Sequence, residues 1–215
     1  MRIIAGRAKG HQLKGPPGAG TRPTADKVRG AIFAMLESLL EEERTAAREG
    51  EEASPWEGQR VLDLYAGTGA LGIEALSRGA GWADFVETKP AACRVIRENL
   101  ARTRLVPFGR VHCTAVRHFL SAAPPGEGYD LVLLDPPYGE PGLDDLLAAL
   151  GTGAFLKEGG WLVAEHGRRQ LLPTAVAGLT RVKARRYGDT DISIYSRRRV
   201  GQTAVATSGE GPGHE

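Results

Sequence analysis

Val61-Leu62-Asp63-Leu64-Tyr65-Ala66-Gly67-Thr68-Gly69-Ala70-Leu71-Gly72 decides the fold of this 215-residue chain. The apolar run Val61–Tyr65 reads as a buried strand, and Ala70–Arg78 reads as a helix. Gly67, Gly69 and Gly72 lie between and just inside them at the GxGxxG spacing. Glycines let the chain reverse sharply and let a ligand approach the backbone. Glu87 stands twenty residues beyond Gly67, at the end of the next apolar run. An acid in that place can accept hydrogen bonds from ribose hydroxyls. Taken alone, the pattern fits a dinucleotide-binding fingerprint.

Working outward, strand and helix signals alternate. Strands are expected at Val61–Tyr65, Trp82–Val86, Arg110–Cys113, Tyr129–Leu134 and Trp161–Glu165. Helices are expected at Ala70–Arg78, Pro90–Arg104, Val116–Ala122 and Leu143–Leu150. Such alternation predicts a mostly parallel sheet with helices on both faces. Two more strand signals, Arg181–Arg186 and Asp191–Ser196, are joined by Tyr187-Gly188-Asp189-Thr190, which is short enough for an antiparallel edge hairpin. The fold class is therefore α/β, Rossmann-like, with a seven-stranded sheet.

Ahead of the sheet, Arg2–Ala5 and His11–Lys14 read as a small hairpin around a Gly6–Gly10 turn. Thr24 can cap a helix running from Ala25 to about Leu40. Glu41–Trp56 reads as a frayed end or loop. The expected organisation is an extension over 1–56, a catalytic domain over 57–199 and a disordered tail over 200–215.

Asp135-Pro136-Pro137-Tyr138 follows the fourth strand. Proline lacks an N–H and fixes φ, and the residue before each proline is driven out of the helical region. The chain leaves the strand as a stiff turn that gathers a carboxylate, free carbonyls and an aromatic face. That set suits a planar base bearing an amine: acceptors take the amine hydrogens and the tyrosine stacks on the ring. No Ser/Tyr/Lys or His/Asp set for hydride transfer accompanies the later strands. Asp63, ahead of the glycines, suits a cationic ligand better than a pyrophosphate. S-adenosylmethionine, with its sulfonium and aminocarboxypropyl arm, is such a ligand.

Together, Asp63-Leu64-Tyr65-Ala66-Gly67-Thr68-Gly69, Val86-Glu87 and Asp135-Pro136-Pro137-Tyr138 resemble a class I S-adenosylmethionine-dependent methyltransferase of the amino-methylating type. Arg2-Ile3-Ile4-Ala5-Gly6, Arg22-Pro23-Thr24-Ala25-Asp26-Lys27-Val28-Arg29 and Tyr187-Gly188-Asp189-Thr190 narrow the likeness to the RsmD family. That family methylates guanine N2 in small-subunit (16S) ribosomal RNA. The resemblance covers roughly Met1 to Ser196.

The resemblance implies a cofactor site made of Asp63, Tyr65, Ala66, Gly67, Thr68, Gly69, Glu87, Thr88, Ala115 and Val116. It implies a catalytic turn made of Asp135, Pro136, Pro137 and Tyr138. The third-strand turn Cys113-Thr114-Ala115-Val116 lacks the acid that many methyltransferases place near the adenine amine, so the Ala115 backbone is the expected contact. The implied partner is 16S rRNA within an assembling small subunit. Two readings compete: a DNA adenine- or cytosine-amino methyltransferase, and an RNA-binding assembly factor without activity.

The charge distribution fits a polyanion partner. Net charge is only +2, yet Met1–Arg29 holds seven Lys or Arg against one acid, Asp26. Glu37–Glu57 holds eight Glu against two Arg. Arg2, Arg7, Lys9, Lys14, Arg22 and Arg29 are candidate phosphate contacts, with Thr24 beside them. Arg185, Arg186 and Arg197–Arg199 form a second basic region. His118 and His166 receive no role. Cys93 and Cys113 have neither a CxxC partner nor a metal-spaced histidine, so reduced thiols and no metal are expected. No run reaches membrane-span length and no signal-peptide h-region is present, which points to the cytoplasm.

Overall fold

The structure, a computed structural model, describes residues 1–15, 23–47, 54–124, 126–137 and 139–197, with the backbone alone at 23–25, 46 and 47. Helix α1 (Pro23–Ala47) precedes an alternating series: β1 (Arg60–Leu64), α2 (Ala70–Arg78), β2 (Trp82–Glu87), α3 (Pro90–Arg102), β3 (Gly109–Cys113), α4 (Val116–Ser121), β4 (Tyr129–Leu134), α5 (Leu143–Thr152) and β5 (Leu156–Gly167). Strands β6 (Ala175–Val176), β7 (Leu179–Tyr187) and β8 (Thr190–Arg197) complete one sheet in the order β3-β2-β1-β4-β5-β8-β7-β6. The first five strands in that order are parallel and the rest pair antiparallel.

The sheet has eight strands, one more than expected. The addition is β6, whose two residues are too short to carry a period-two signal. The β7–β8 hairpin forms where the sequence places it, and Gly188 supplies the left-handed turn residue at φ 65°.

Side chains alternate across each strand. One face carries Val61, Phe85, Leu133, Val163 and Ile192, packed under α1–α3 and the amino-terminal arm. The other carries Leu62, Val86, Leu134, Ala164 and Tyr195, packed under α4 and α5. Ile3, Ala8, Leu13, Val28, Ile32 and Phe33 share the first core with the sheet, so residues 1–47 are the roof of the catalytic layer.

Two local expectations change. The arm is held by a single bridge, Arg2↔Gln12, rather than a two-stranded hairpin. The reason is a stronger competitor for its backbone: the N–H groups of Ile4 and Ala5 donate to the Glu74 carboxylate on α2 at 2.9 and 3.0 Å. The Arg7 N–H donates to the Ser77 carbonyl at 2.8 Å, and the Ala8 N–H to the Ser77 hydroxyl at 3.0 Å.

Helix α1 begins at Pro23, which puts Thr24 inside its first turn, and it runs on through Glu41–Ala47. Polar contacts sustain that charged end. Ser38 donates to Glu42, Arg44 pairs with Glu41, and the indoles of Trp56 and Trp161 donate to Glu37 and Glu43, both at 3.2 Å. The two cysteines meet across α3 and β3, with their sulfurs 2.7 Å apart. Among the described residues no helix is long and apolar enough to cross a membrane, and no His/Cys/Asp/Glu group is placed to hold a metal. The tail lies outside the described residues.

Candidate active site

Two acids tie the glycine loop down. After β1 the chain turns through Tyr65 at φ 59° and Gly67 at φ 55°, and Gly69 at φ 76° starts α2. The left-handed region disfavours a Cβ, so Tyr65 is held against its preference. Its hydroxyl donates to Glu140 at 3.2 Å, and burial followed by the Glu140 charge pushes it up to about 12. The Gly67 N–H donates to Glu87 at 2.9 Å, and the Gly72 N–H donates to Asp63 at 2.9 Å. Gly72 is required for packing as well, because a Cβ there would stand 2.4 Å from the Phe85 ring.

Glu87 also accepts the Lys89 N–H at 2.8 Å and the Thr88 hydroxyl at 3.3 Å. A carboxylate has about four lone-pair sites, so it can hold the loop and still accept from a ribose. Thr68 lies beside Met1, and the Ala66 N–H donates to the Val86 carbonyl. Ala115 is exposed at the start of α4, and the Thr114 N–H donates to the Glu87 carbonyl. Val116 is a buried core residue.

The register gathers the carboxylates. Leu64 pairs with Val86 on one side and Leu134 on the other, and Leu134 pairs with Ala164. One residue further on, Glu87, Asp135 and Glu165 come level at the carboxyl ends of β2, β4 and β5. Period two puts all three on the face of Phe85, Leu133 and Val163, with Asp63 one pleat deeper on β1. Burial pushes the Asp63 carboxyl well above its usual range, and the nearby Asp135 and Glu87 add to this against the Gly72 hydrogen bond. Burial pushes Asp135 up to about 6. Burial and then the Asp135 charge push Glu165 up to about 7.

Asp135 is nonetheless open to solvent. The two facts agree for a residue lining a cleft, which water reaches from one side while protein surrounds it on the others. A row of acids destabilised by burial and mutual repulsion fits a cationic ligand.

The turn after β4 is anchored by the Asp135 N–H on the Leu64 carbonyl at 3.4 Å, and by the Glu140 N–H on the Pro137 carbonyl at 3.0 Å. Pro136 is buried and Pro137 exposed. Tyr138 lies outside the described residues. His166, on the other face, bonds the Ser193 hydroxyl, and His118 is exposed on α4.

On the arm, Arg2, Arg7 and Lys9 are exposed, with the Arg7 guanidinium 4.2 Å from the centre of the Phe108 ring. Lys14 is paired with Glu98 at 2.6 Å. Arg22 lies outside the described residues. Arg29 is corrected: it is 3% exposed, with its guanidinium 2.9 Å from Asp26 and 3.6 Å from the fully buried Glu74. It also donates to the Arg2 carbonyl. A side chain so enclosed cannot reach a phosphate.

Three anchors escaped the sequence reading: Glu74, Ser77 and Asn99. The Asn99 carboxamide accepts the Lys14 N–H at 2.7 Å and donates to the Lys14 and Thr68 carbonyls at 3.1 and 3.0 Å. It joins the arm to the cofactor loop. Its signal was present, since Asn99 lies three and four residues after Ile96 and Val95 on the apolar face of α3.

The family described as conserved hypothetical protein 95 matches residues 1–196. The chain is 38% identical over 199 residues to a Bacillus subtilis protein named "Putative rRNA methyltransferase YlbH", covering 92% of this chain and all of that one. It is 29% identical over 203 residues to the Escherichia coli ribosomal RNA small subunit methyltransferase D, covering 94% and 93% of the two chains. A solved Escherichia coli structure, "Putative methyltransferase yhhF", superposes with a TM-score of 0.73 at 28% identity, over 92% of this chain and 98% of that one.

Proposed function

The chain belongs to the conserved hypothetical protein 95 family, that of ribosomal RNA small subunit methyltransferase D, and from that premise we propose that it transfers a methyl group from S-adenosylmethionine to the N2 amine of a guanine in 16S rRNA. The observation that carries this reading is the level row of Glu87, Asp135 and Glu165, with Asp63 beneath it. It places the Asp-Pro-Pro-Tyr turn beside the glycine loop at the carboxyl edge of the sheet, where α/β folds bind their ligands.

Bound there, S-adenosylmethionine supplies an electrophilic methyl on a cationic sulfur. Glu87 accepts from the ribose, Asp63 and the loop face the cationic arm, and Ala115 meets the adenine. The guanine amine is a poor nucleophile because its lone pair is delocalised into the ring. Asp135 and the Pro136 carbonyl accept its hydrogens and favour a more pyramidal nitrogen, so positioning and electrostatics do most of the work. Tyr138 stacks on the base. The base leaves its stack, or already sits in a loop, to reach the cleft.

Arg2, Arg7, Lys9 and Arg22 contact phosphates and set the approach. The assembling small subunit is the natural setting for this substrate, in the cytoplasm.

The test is tritiated methyl transfer to small-subunit RNA from a strain lacking this protein, followed by nucleoside analysis. N2-methylguanosine is expected. Label in an adenine or cytosine of duplex DNA, with none in RNA, would overturn the assignment. No transfer at all, with RNA still bound, would favour an assembly factor.

A further inference from the structure

Glu165 ends the row of carboxylates on β5, and its side chain has no hydrogen bond or ion pair among the described residues. Ile192 of β8 flanks it on one side and Asp135 on the other. Neighbouring strands are about 4.8 Å apart, so the two acids stand within reach of a shared proton. We propose that Glu165 is a positioning residue for methyl transfer: it shares one proton with Asp135, so that the pair receives the proton lost from the target amine. This rests on the methyltransferase reading. In the step, the amine N–H bond breaks, its electron pair stays on nitrogen, and the proton becomes an O–H on Asp135. It then passes to Glu165 or to the water that reaches Asp135.

The surroundings favour such sharing. Burial and the Asp135 charge hold Glu165 up near about 7, and burial holds Asp135 up near about 6. Carboxyls this close titrate as a pair, which holds about one proton near neutrality. Few other charges bear on Glu165. Asp63 lies one pleat deeper beyond Asp135, and Tyr187 of β7 packs on the same face. Glu43 of α1 is bonded to Trp161, four residues back along β5, and Arg29 is committed to Asp26 and Glu74. His166 and Asp191 pair on the opposite face.

The experiment compares wild type, E165Q and E165D. The first readout needs no substrate. A carboxyl whose folded pKa is raised contributes stability that is lost as pH rises through it, so the melting temperature of wild type falls between about pH 5 and 8. In E165Q that fall is smaller. The second readout is the pH profile of kcat with saturating S-adenosylmethionine and RNA. E165Q should lose roughly tenfold or more at the plateau, and its acid limb should move down by about one pH unit. The RNA KM and the affinity for S-adenosylhomocysteine should stay within about twofold, and E165D should restore much of the profile.

Equal pH dependence of melting in wild type and E165Q overturns the proposal. So does an E165Q enzyme with wild-type kcat at every pH, or one whose only defect is cofactor binding. A wild-type protein that transfers no methyl would sink the parent reading instead, and the melting comparison would still judge the shared proton.

Discussion

Arg29→Ala separates a docking arginine from a structural one. In the fold, Arg29 lies between α1, α2 and the arm, bonded to Asp26 and the Arg2 carbonyl and 3.6 Å from Glu74. Breaking a buried ion pair by removing one partner costs about 3–5 kcal/mol, mostly from the charge left behind. Here Glu74 keeps Arg78 at 2.9 Å and the two arm N–H groups, so part of its compensation survives. The Arg2 carbonyl loses a charge-assisted donor worth roughly 1.5–3 kcal/mol. Because these terms overlap, a net loss of about 2–3 kcal/mol is expected. For a domain of this size that lowers the melting temperature by roughly 4–12 °C.

The assay is thermal and urea unfolding, with RNA binding measured over a salt series on the fraction that remains folded. An arginine that holds the roof lowers stability and leaves the salt dependence of RNA binding nearly unchanged. A lost phosphate contact does the reverse, and lowers the log–log salt slope by roughly 0.7 on single-stranded RNA. Unchanged melting together with that reduced slope would refute the structural role.

Asn99→Ala removes three hydrogen bonds between α3, Lys14 and Thr68; it should cost roughly 2–4 kcal/mol and open the arm to limited proteolysis before the sheet. Glu87→Ala should weaken S-adenosylhomocysteine binding about tenfold or more in calorimetry, from lost charge-assisted bonds of roughly 1.5–3 kcal/mol. Gly72→Ala drives a methyl group into the buried Phe85 ring and should destabilise by about 1–3 kcal/mol in urea unfolding. Charge reversal at Arg7 and Lys9, both exposed, should lower RNA affinity and reduce the salt slope by roughly 0.7 per contact, with cofactor affinity unchanged.

What the sequence yields here follows from the range of the interactions involved. Helix α2 runs over Ala70–Arg78, as its flanking glycines indicate, because turn and helix signals act over a few residues. The Gly67–Glu87 relation was also legible, since a βαβ unit fixes how far its second strand end lies from its first loop. Arg29 was misread for the opposite reason. Basic composition in a segment does not say which charge meets a buried acid, and its partner Glu74 lies forty-five residues away on another helix. The arm's hairpin pattern was sound locally, but Glu74 and Ser77 offer its N–H groups acceptors that no period-two rule anticipates. Glu165 looked like the end of a strand. Only the neighbourhood of β4 and β5, together with their register, brings it level with Asp135.

The same anchors bear on how RNA and cofactor act together. Lys14 closes the arm and Thr68 sits inside the glycine loop, yet both carbonyls accept from one carboxamide, that of Asn99. Met1 reaches Thr68 from the other end of the arm. A force that shifts the arm on docking RNA therefore acts on the loop through hydrogen bonds it cannot lose without leaving buried groups unpaired, at about 1–3 kcal/mol each. By linkage, a cofactor that tightens the loop favours the docked arm to the same degree. A division at residue 56 into an RNA-binding extension and a catalytic domain would cut through that shared network and through the core formed by Ile3, Ile32 and Val61. The arm is better regarded as the outer layer of the catalytic site than as a module appended to it.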